Sequence, residues 1–197
     1  MADVQVFHAI LTIVVVVLFP IAIFHRIRSQ ASGERLDRWQ EGAFILFTLR
    51  PIGVATMLGL IAYVMNPEWM AWSSMRLTVP LRWCGVGMVA LGGSLLVWTL
   101  GSIGRNLTDT VVTRRNHTLV TKGPYRWVRH PFYDAVLLFV AGGALAAANW
   151  FLLAGGLASF ALIVLRTRRE EDRLLARFGD AYRQYASATG RFLPKVG

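Results

Sequence analysis

The sequence predicts an all-α integral membrane protein with about five transmembrane helices, the last two joined as a helical hairpin and followed by a cytoplasmic C-terminal helix. Three observations carry this. Hydrophobic residues make up 55% of the 197 and charged residues only 16%, whereas a soluble domain carries nearer a quarter charged residues. The apolar residues gather into runs long enough to cross a bilayer core. The cations fall between those runs: of 21 Lys and Arg, eight lie from Arg166 onward, six between Arg105 and Arg129, and four between Arg26 and Arg38.

The first span is expected from Phe7 to Phe24, where His8 is the only ionisable residue. A cleaved signal peptide would want basic residues before the apolar run. Here Asp3 precedes it and His25-Arg26-Ile27-Arg28 follows, so the run is expected to stay as a helix with the N-terminus outside. His25 to Gln40 is a mixed-charge connection. Gly42 to Met65 is the second span, and Arg50-Pro51 inside it marks an expected kink at which Arg50 snorkels. Asn66 to Thr78, sparse in charge and carrying Trp69 and Trp72, suits a non-cytoplasmic interface.

The third span is expected from Val79 to Leu100. Gly85, Gly87, Gly92 and Gly93 permit close helix contact, Arg82 is expected to snorkel, and Cys84 is expected to be a small packing residue. One cysteine also excludes an intramolecular disulfide and any cysteine metal cluster. Gly101 to Pro131 is polar and basic. Gly123-Pro124 is a turn signal and Pro131 pushes His130 away from helix, so this is folded backbone at a helix entrance. Such backbone at membrane depth survives only where it lines a cavity or is buried in protein, which points to a site.

Tyr133 to Leu165 is an apolar stretch of 33 residues. That is too long for one ordinary span, and the expectation is two tightly connected helices turning near Ala148 to Trp150; one long tilted helix is the alternative. Arg166 to Gly197 is expected to be an amphipathic cytoplasmic helix with a short tail, broken at Gly179. No internal repeat is visible. The whole chain, 1–197, reads as one membrane domain, with three spans in 1–100 and the polar candidate site in 101–197. Five spans put every dense cationic segment on one, cytoplasmic, side. The net charge of +10 then implies attraction to membrane lipids rather than to nucleic acid.

For chemistry, His8, His25, His117 and His130 have no helical zinc-ligand spacing, so no metal is expected. No phosphate-cradling loop or GxGxxG is present. A Ser-His-Asp triad is not excluded by residue order, but nothing resembles a nucleophile elbow. Two polar clusters remain: His117 to Tyr133, and Arg166-Thr167-Arg168-Arg169-Glu170-Glu171. Glu170 follows Arg166 by four residues, one helical turn along the same face.

His117-Thr118-Leu119-Val120, Gly123-Pro124-Tyr125, Arg129-His130-Pro131-Phe132-Tyr133, Arg166 with Glu170-Glu171, Phe178-Gly179-x-x-Tyr182-x-x-Tyr185 and Arg191-Phe192-Leu193-Pro194 together resemble the C-terminal signature of the isoprenylcysteine carboxyl methyltransferases. Related membrane phospholipid N-methyltransferases share it. The resemblance runs from about Gly104 to Pro194 and implies that 101–197 is a cofactor-binding catalytic half with a pocket for S-adenosylmethionine. It also implies a lateral opening for a lipophilic small-molecule or prenylated substrate entering from the bilayer. By motif position it assigns cofactor binding to His117, Thr118, Leu119, Val120, Gly123, Tyr125, His130, Pro131, Phe132, Tyr133 and Glu170. Catalysis falls to Arg166 and Glu170, and substrate binding to Arg166 and Arg129. The chain departs from the animal enzymes in having fewer spans and in Pro124.

The chemistry suits these residue types. Methyl transfer from a sulfonium needs alignment more than acid or base catalysis. A carboxylate acceptor is already ionised at neutral pH, and a guanidinium can hold it bidentately. An amine acceptor must first lose a proton, with His130 or Glu171 as the candidate bases. The alternatives are therefore N-methylation of an ethanolamine phospholipid, and, from another class, an NADPH-dependent membrane sterol-type reductase, whose longer chain and extra spans are missing here. A noncatalytic membrane scaffold is the third reading.

Overall fold

A computed structural model describes residues 2–30, 43–103 and 118–195. Among these it contains six α-helices, α1 (Ala2–Gln30), α2 (Ala43–Met65), α3 (Val79–Ile103), α4 (Pro131–Ala147), α5 (Trp150–Phe178) and α6 (Asp180–Ala188), with short 3-10 turns at Pro67–Ser73 and Gly123–Arg126. Four helices, α1, α2, α3 and α5, are long and apolar enough to cross a membrane, and α4 is a shorter apolar helix of 17 residues. Large apolar side chains such as Ile13, Val16, Phe44, Leu58 and Leu91 are exposed on the outside of the bundle. In water that would be an aggregation hazard; in lipid it is the ordinary arrangement.

The expected hairpin is present. Ala148 adopts a left-handed conformation at φ 51°, and Asn149 caps α5 by accepting a hydrogen bond from the Leu152 amide at 3.0 Å. The Asn149 amide group also donates to Ser73 Oγ at 2.7 Å and to Met70 O at 3.3 Å. Nearby, the Met75 N–H donates to Ala148 O at 2.6 Å. These bonds tie the turn to the 66–78 connection, so the backbone freed by the turn is satisfied by protein.

Among the described residues, α3 and α4 make the most extensive helix–helix contact. A Cβ on Gly85 would meet Gly142 O at 2.6 Å, and one on Gly92 would meet Phe139 N at 2.6 Å, so hydrogen at those positions is what lets the backbones approach. Gly93 instead faces Leu18 of α1, and Gly87 faces open space. Aromatic side chains gather at both ends of the bundle. Trp72 contacts Trp150 and Phe151 at one end, with ring centroids 5.6 and 5.4 Å apart. At the other end Trp98 and Trp127 meet at 5.6 Å, as interface anchors do.

Several expectations change. α1 and α3 extend beyond their apolar runs, to Gln30 and Ile103. α2 is a single helix with Pro51 inside it, the position of the expected kink. Arg166 does not begin a separate helix: α5 continues unbroken to Phe178 and breaks at Gly179, φ 53°. Arg82 does not snorkel. It is 7% exposed, donating through Nε to Ala146 O at 2.9 Å with its guanidinium 4.0 Å above the Phe7 ring. A carbonyl and an aromatic face partly replace its hydration. Cys84 is exposed rather than packed. His117, Gly104-Arg105-Asn106 and most of the connection between the first two spans lie outside the described residues.

Candidate active site

Polar groups converge where α4 begins and α5 leaves its apolar stretch. The local cause is Pro131, which fits the first position of α4 and forces His130 into non-helical backbone. His130 and Tyr133 thereby lie almost parallel, ring centroids 5.5 Å apart at 14°. α5 passes over this entrance and contributes Arg166, Glu170 and Glu171.

The deeper part of the cluster joins Arg166, Tyr133 and Glu170. Arg166 Nη2 donates to the Tyr133 hydroxyl at 2.8 Å, which donates onward to Glu170 Oε2 at 3.0 Å. Arg166 and Tyr133 are buried and Glu170 is half-buried. The hydroxyl thus links a guanidinium to a carboxylate one helical turn away, and charge-assisted bonds at both ends fix the ring. Tyr125, buried in the Gly123–Arg126 turn, has its hydroxyl pushed well above the usual phenol range by burial and then by the neighbouring Glu170 charge. It stays a neutral phenol.

The outer part is built on Glu171. Arg129 Nε donates to Glu171 Oε1 at 2.9 Å, His130 Nε2 lies 3.1 Å from the same oxygen, and Arg191 Nε donates to it at 3.1 Å. Arg191 also bonds the second oxygen, Oε2. Arg129 spends its Nη1 on the carbonyls of Ala186 and Thr189, at 3.1 and 2.5 Å. The carboxylate therefore joins α5 to the entrance of α4 and to the C-terminal tail.

The tail is also bound through backbone. Gly190 N–H donates to Trp127 O at 3.1 Å, while the N–H groups of Arg129 and His130 donate to Gly190 O at 2.8 Å and Arg191 O at 3.1 Å. Tyr185 of α6 donates its hydroxyl to Tyr125 O at 2.8 Å. Burial raises the Tyr185 hydroxyl to about 12, with the Arg129 charge opposing.

The remaining sequence-derived positions fall around this cluster. Thr118, exposed, and Leu119 and Val120, half-buried, form a non-helical run toward the 3-10 turn. Gly123 has φ 63°, and a Cβ there would fall 2.2 Å from Ser102 Oγ, so the turn packs directly on α3. Pro131 is buried, and the half-buried Phe132 meets the edge of Tyr133 at 5.9 Å. Two contributors were not singled out for the site by sequence reasoning, the Arg191 clamp and Phe192. The final motif quoted above contains both, but neither spacing nor charge reveals that the tail returns to the α4 entrance.

Below the cluster, within the helices, lies an apolar cavity of about 210 Å³ between α1, α2, α4 and α5. Leu11, Gly53, Met57, Val140, Ser159 and Phe160 are among its walls. Among the described residues no group of three or more His, Cys, Asp or Glu side chains is placed to hold a metal ion.

The family model described as "Isoprenylcysteine carboxyl methyltransferase (ICMT) family" matches residues 85–176. The chain is 26% identical over 163 residues to the protein-S-isoprenylcysteine O-methyltransferase of Dictyostelium discoideum, covering 81% of this chain and 68% of that protein. It is 33% identical over 123 residues to the cobalt-zinc-cadmium resistance protein CzcN of Cupriavidus metallidurans, covering 58% of this chain and 55% of that one. With most of the curated relatives it matches, the alignment spans about half of their length. The fold is shared with the solved eukaryotic intramembrane Ras methyltransferase ICMT, with a TM-score of 0.57 at 24% identity over 88% of this chain and 63% of that structure's chain.

Proposed function

From the premise that the chain belongs, through residues 85–176, to the isoprenylcysteine carboxyl methyltransferase family, we propose that it is an S-adenosylmethionine-dependent methyltransferase. Its acceptor is a lipophilic molecule entering from the bilayer, and the nucleophile is the carboxylate of a prenylated cysteine or a small analogue of one. The observation that carries this reading is the buried Arg166 guanidinium, bonded to Tyr133, on two of the four helices that wall the apolar cavity. A cation for a carboxylate and a greasy space for a tail lie on α4 and α5 together.

The chain's own residues fit a sulfonium cofactor. Glu170 offers a half-buried carboxylate, and Tyr125 and Tyr133 offer buried aromatic rings near it, the combination that attracts a cation. When bound, S-adenosylmethionine supplies the methyl group already attached to its leaving group. Glu170, His130, Pro131, Phe132, Tyr133, Tyr125 and Gly123 would hold it, with Thr118 to Val120 alongside and His117 belonging to the same motif. Arg166 orients the acceptor carboxylate, and the surrounding apolar helices exclude water. Arg129, whose donors go to Glu171, Ala186 and Thr189, acts on substrate through the shape of the entrance.

The amine reading is weaker for Glu171, one of its two candidate bases. His130 and Glu171, the available bases, bond to each other, and Glu171 is further held by two guanidinium groups. A carboxylate so clamped is a poor proton acceptor. Its orientation in the membrane is proposed as N-terminus outside with the site on the cytoplasmic face. A cysteine introduced between Asn66 and Thr78, in a Cys84→Ser background, should then react with an impermeant reagent from outside.

The test is transfer of labelled methyl by the purified protein to a prenylcysteine analogue and to an ethanolamine phospholipid in parallel, with S-adenosylmethionine and NADPH binding measured separately by calorimetry. Label in a base-labile ester, and cofactor affinity lowered at least tenfold in Glu170→Ala, is the expected result. Label in the phospholipid, or NADPH binding without S-adenosylmethionine binding, would overturn it.

A further inference from the structure

The polar cluster and the apolar cavity are joined by a short path of aromatic rings, and one of them comes from the C-terminal tail. Phe160 lines the cavity. Phe192 meets Phe160 at a centroid separation of 5.8 Å and His130 at 5.7 Å. His130 stacks on Tyr133, whose hydroxyl bonds Arg166 and Glu170. Phe192 therefore stands where the chamber for a reacting head group meets the space for an apolar tail.

Its position is firmly built. Three backbone hydrogen bonds register residues 190 and 191 against 127–130, and the Arg191 guanidinium is fastened to Glu171. A Cβ on Gly190 would lie 1.6 Å from Leu193 O, so this tight turn accepts only glycine. The next side chain, Leu193, is 80% exposed, while the half-buried Phe192 is turned inward. The strap spends its fixed geometry on holding one ring.

We propose that Phe192 is a specificity-determining residue that fills the junction between the cavity and the polar cluster. It sets how bulky an acceptor can be next to its reacting carboxylate. The ring makes no claim on the chemistry itself. A slim head group passes it and packs against it; a head group branched beside the carboxylate meets it. The proposal rests on the methyltransferase reading for the reaction it tunes, but its binding consequence does not require turnover.

The experiment uses the full chain in detergent or nanodiscs with two probes, a prenylcysteine and the same compound carrying an N-pivaloyl group. Equilibrium binding of each and kcat/KM for each are measured in wild type and in Phe192→Ala, Phe192→Leu and Phe192→Trp. Phe192→Ala should shift the preference at least tenfold toward the bulky compound, mostly through KM. Phe192→Leu should fall between it and wild type, and Phe192→Trp should shift it the other way. S-adenosylmethionine affinity should stay within about twofold throughout, a readout that general unfolding would not spare. If both compounds bind and their ratio is the same in wild type, Phe192→Leu and Phe192→Trp, the proposal is overturned alone. If neither compound binds the wild-type protein, the proposal and the prenylcysteine reading fall together.

Discussion

Gly53→Leu provides a direct measure of whether the cavity holds the acceptor's tail. Gly53 lines the cavity from α2, and a Cβ built on it meets nothing within 4 Å, so a side chain can start there without displacing a neighbour. The substitution also relieves a mid-helix glycine, worth up to about 1 kcal/mol to the helix, so the fold should not suffer. The cavity, at about 210 Å³, exceeds the ~150 Å³ that suffices to take up benzene. Leucine adds four carbons, and displacing as many acceptor carbons at about 0.8 kcal/mol each gives an upper bound near 3 kcal/mol. That corresponds to roughly 200-fold in affinity. The displaced tail moves into lipid rather than water, so most of the transfer term cancels and the lost packing remains. The expected rise in KM is about tenfold for a long-tailed acceptor and within about twofold for one whose tail is too short to reach. The assay is initial-rate methyl transfer at saturating S-adenosylmethionine across a tail-length series. Gly87→Leu is the matched control, because Gly87 is an exposed α3 glycine with equally open space at its Cβ and no place in the cavity wall. Equal changes for long and short tails in Gly53→Leu, or the same length dependence in Gly87→Leu, would refute the assignment.

Other perturbations address the polar cluster. Arg166→Lys keeps the charge but loses the planar fork that suits a carboxylate; about 1.5–3 kcal/mol for a charged hydrogen bond predicts a drop of roughly 10- to 100-fold in kcat/KM. Calorimetry should find S-adenosylmethionine affinity within about threefold of wild type, and an equal loss of both would remove Arg166 from the acceptor side. Glu171→Gln removes the charge shared by Arg129, His130 and Arg191, and limited trypsinolysis should then cut at Arg191 and Lys195 at least several times faster; unchanged cleavage would mean that backbone bonding alone holds the strap. Because burial raises Tyr185 to about 12 from an ordinary value near 10, the folded state binds the proton that the unfolded state gives up between those values. The stabilising contribution is complete below about pH 10 and lost as pH rises toward 12. A pH titration of tyrosinate absorbance alongside tryptic release of the tail should show the strap loosening in that window, and loosening already at neutral pH would contradict it.

What was legible in the sequence depended on range. The spans and the hairpin turn at Ala148 to Trp150 follow from apolar run length, because a 33-residue stretch cannot cross once at ordinary tilt. The entrance at His130 follows from the conformational effect of Pro131, a property of adjacent residues. Arg82 was misjudged because snorkelling is the default for a cation near a helix end, while its actual partners, Phe7 and Ala146 O, come from α1 and α4. The Glu171 junction was hidden for the same reason. Its partners lie 42, 41 and 20 residues away, and no periodicity links such positions. Motif order supplied the candidate residues as a set, without revealing that the tail closes back on several of them.

The depth of the site follows from counting along the hairpin. From the turn back to the start of α4, residues 131–147 are 17 in number. The same count along α5, residues 150–166, ends at Arg166. At about 1.5 Å per residue, both positions lie about 26 Å from the turn, close to the thickness of a bilayer's hydrocarbon core. Pro131 and Arg166 are therefore level with each other, which is why Tyr133, in the first turn of α4, can meet the Arg166 guanidinium. α5 has 29 residues against 17 in α4, so 12 residues, about 18 Å, extend past the α4 entrance. That overhang carries Glu170 and Glu171 over backbone that Pro131 has already prevented from being helical. Inserting one residue into α5 between the turn and Arg166 would rotate the overhang by about 100°. It would carry both carboxylates off the α4 entrance while leaving an apolar span of ordinary length. Such a variant should still insert into membranes and should lose S-adenosylmethionine binding by at least tenfold in a calorimetric titration. Retained affinity would mean that the site does not depend on the equal arms of the hairpin.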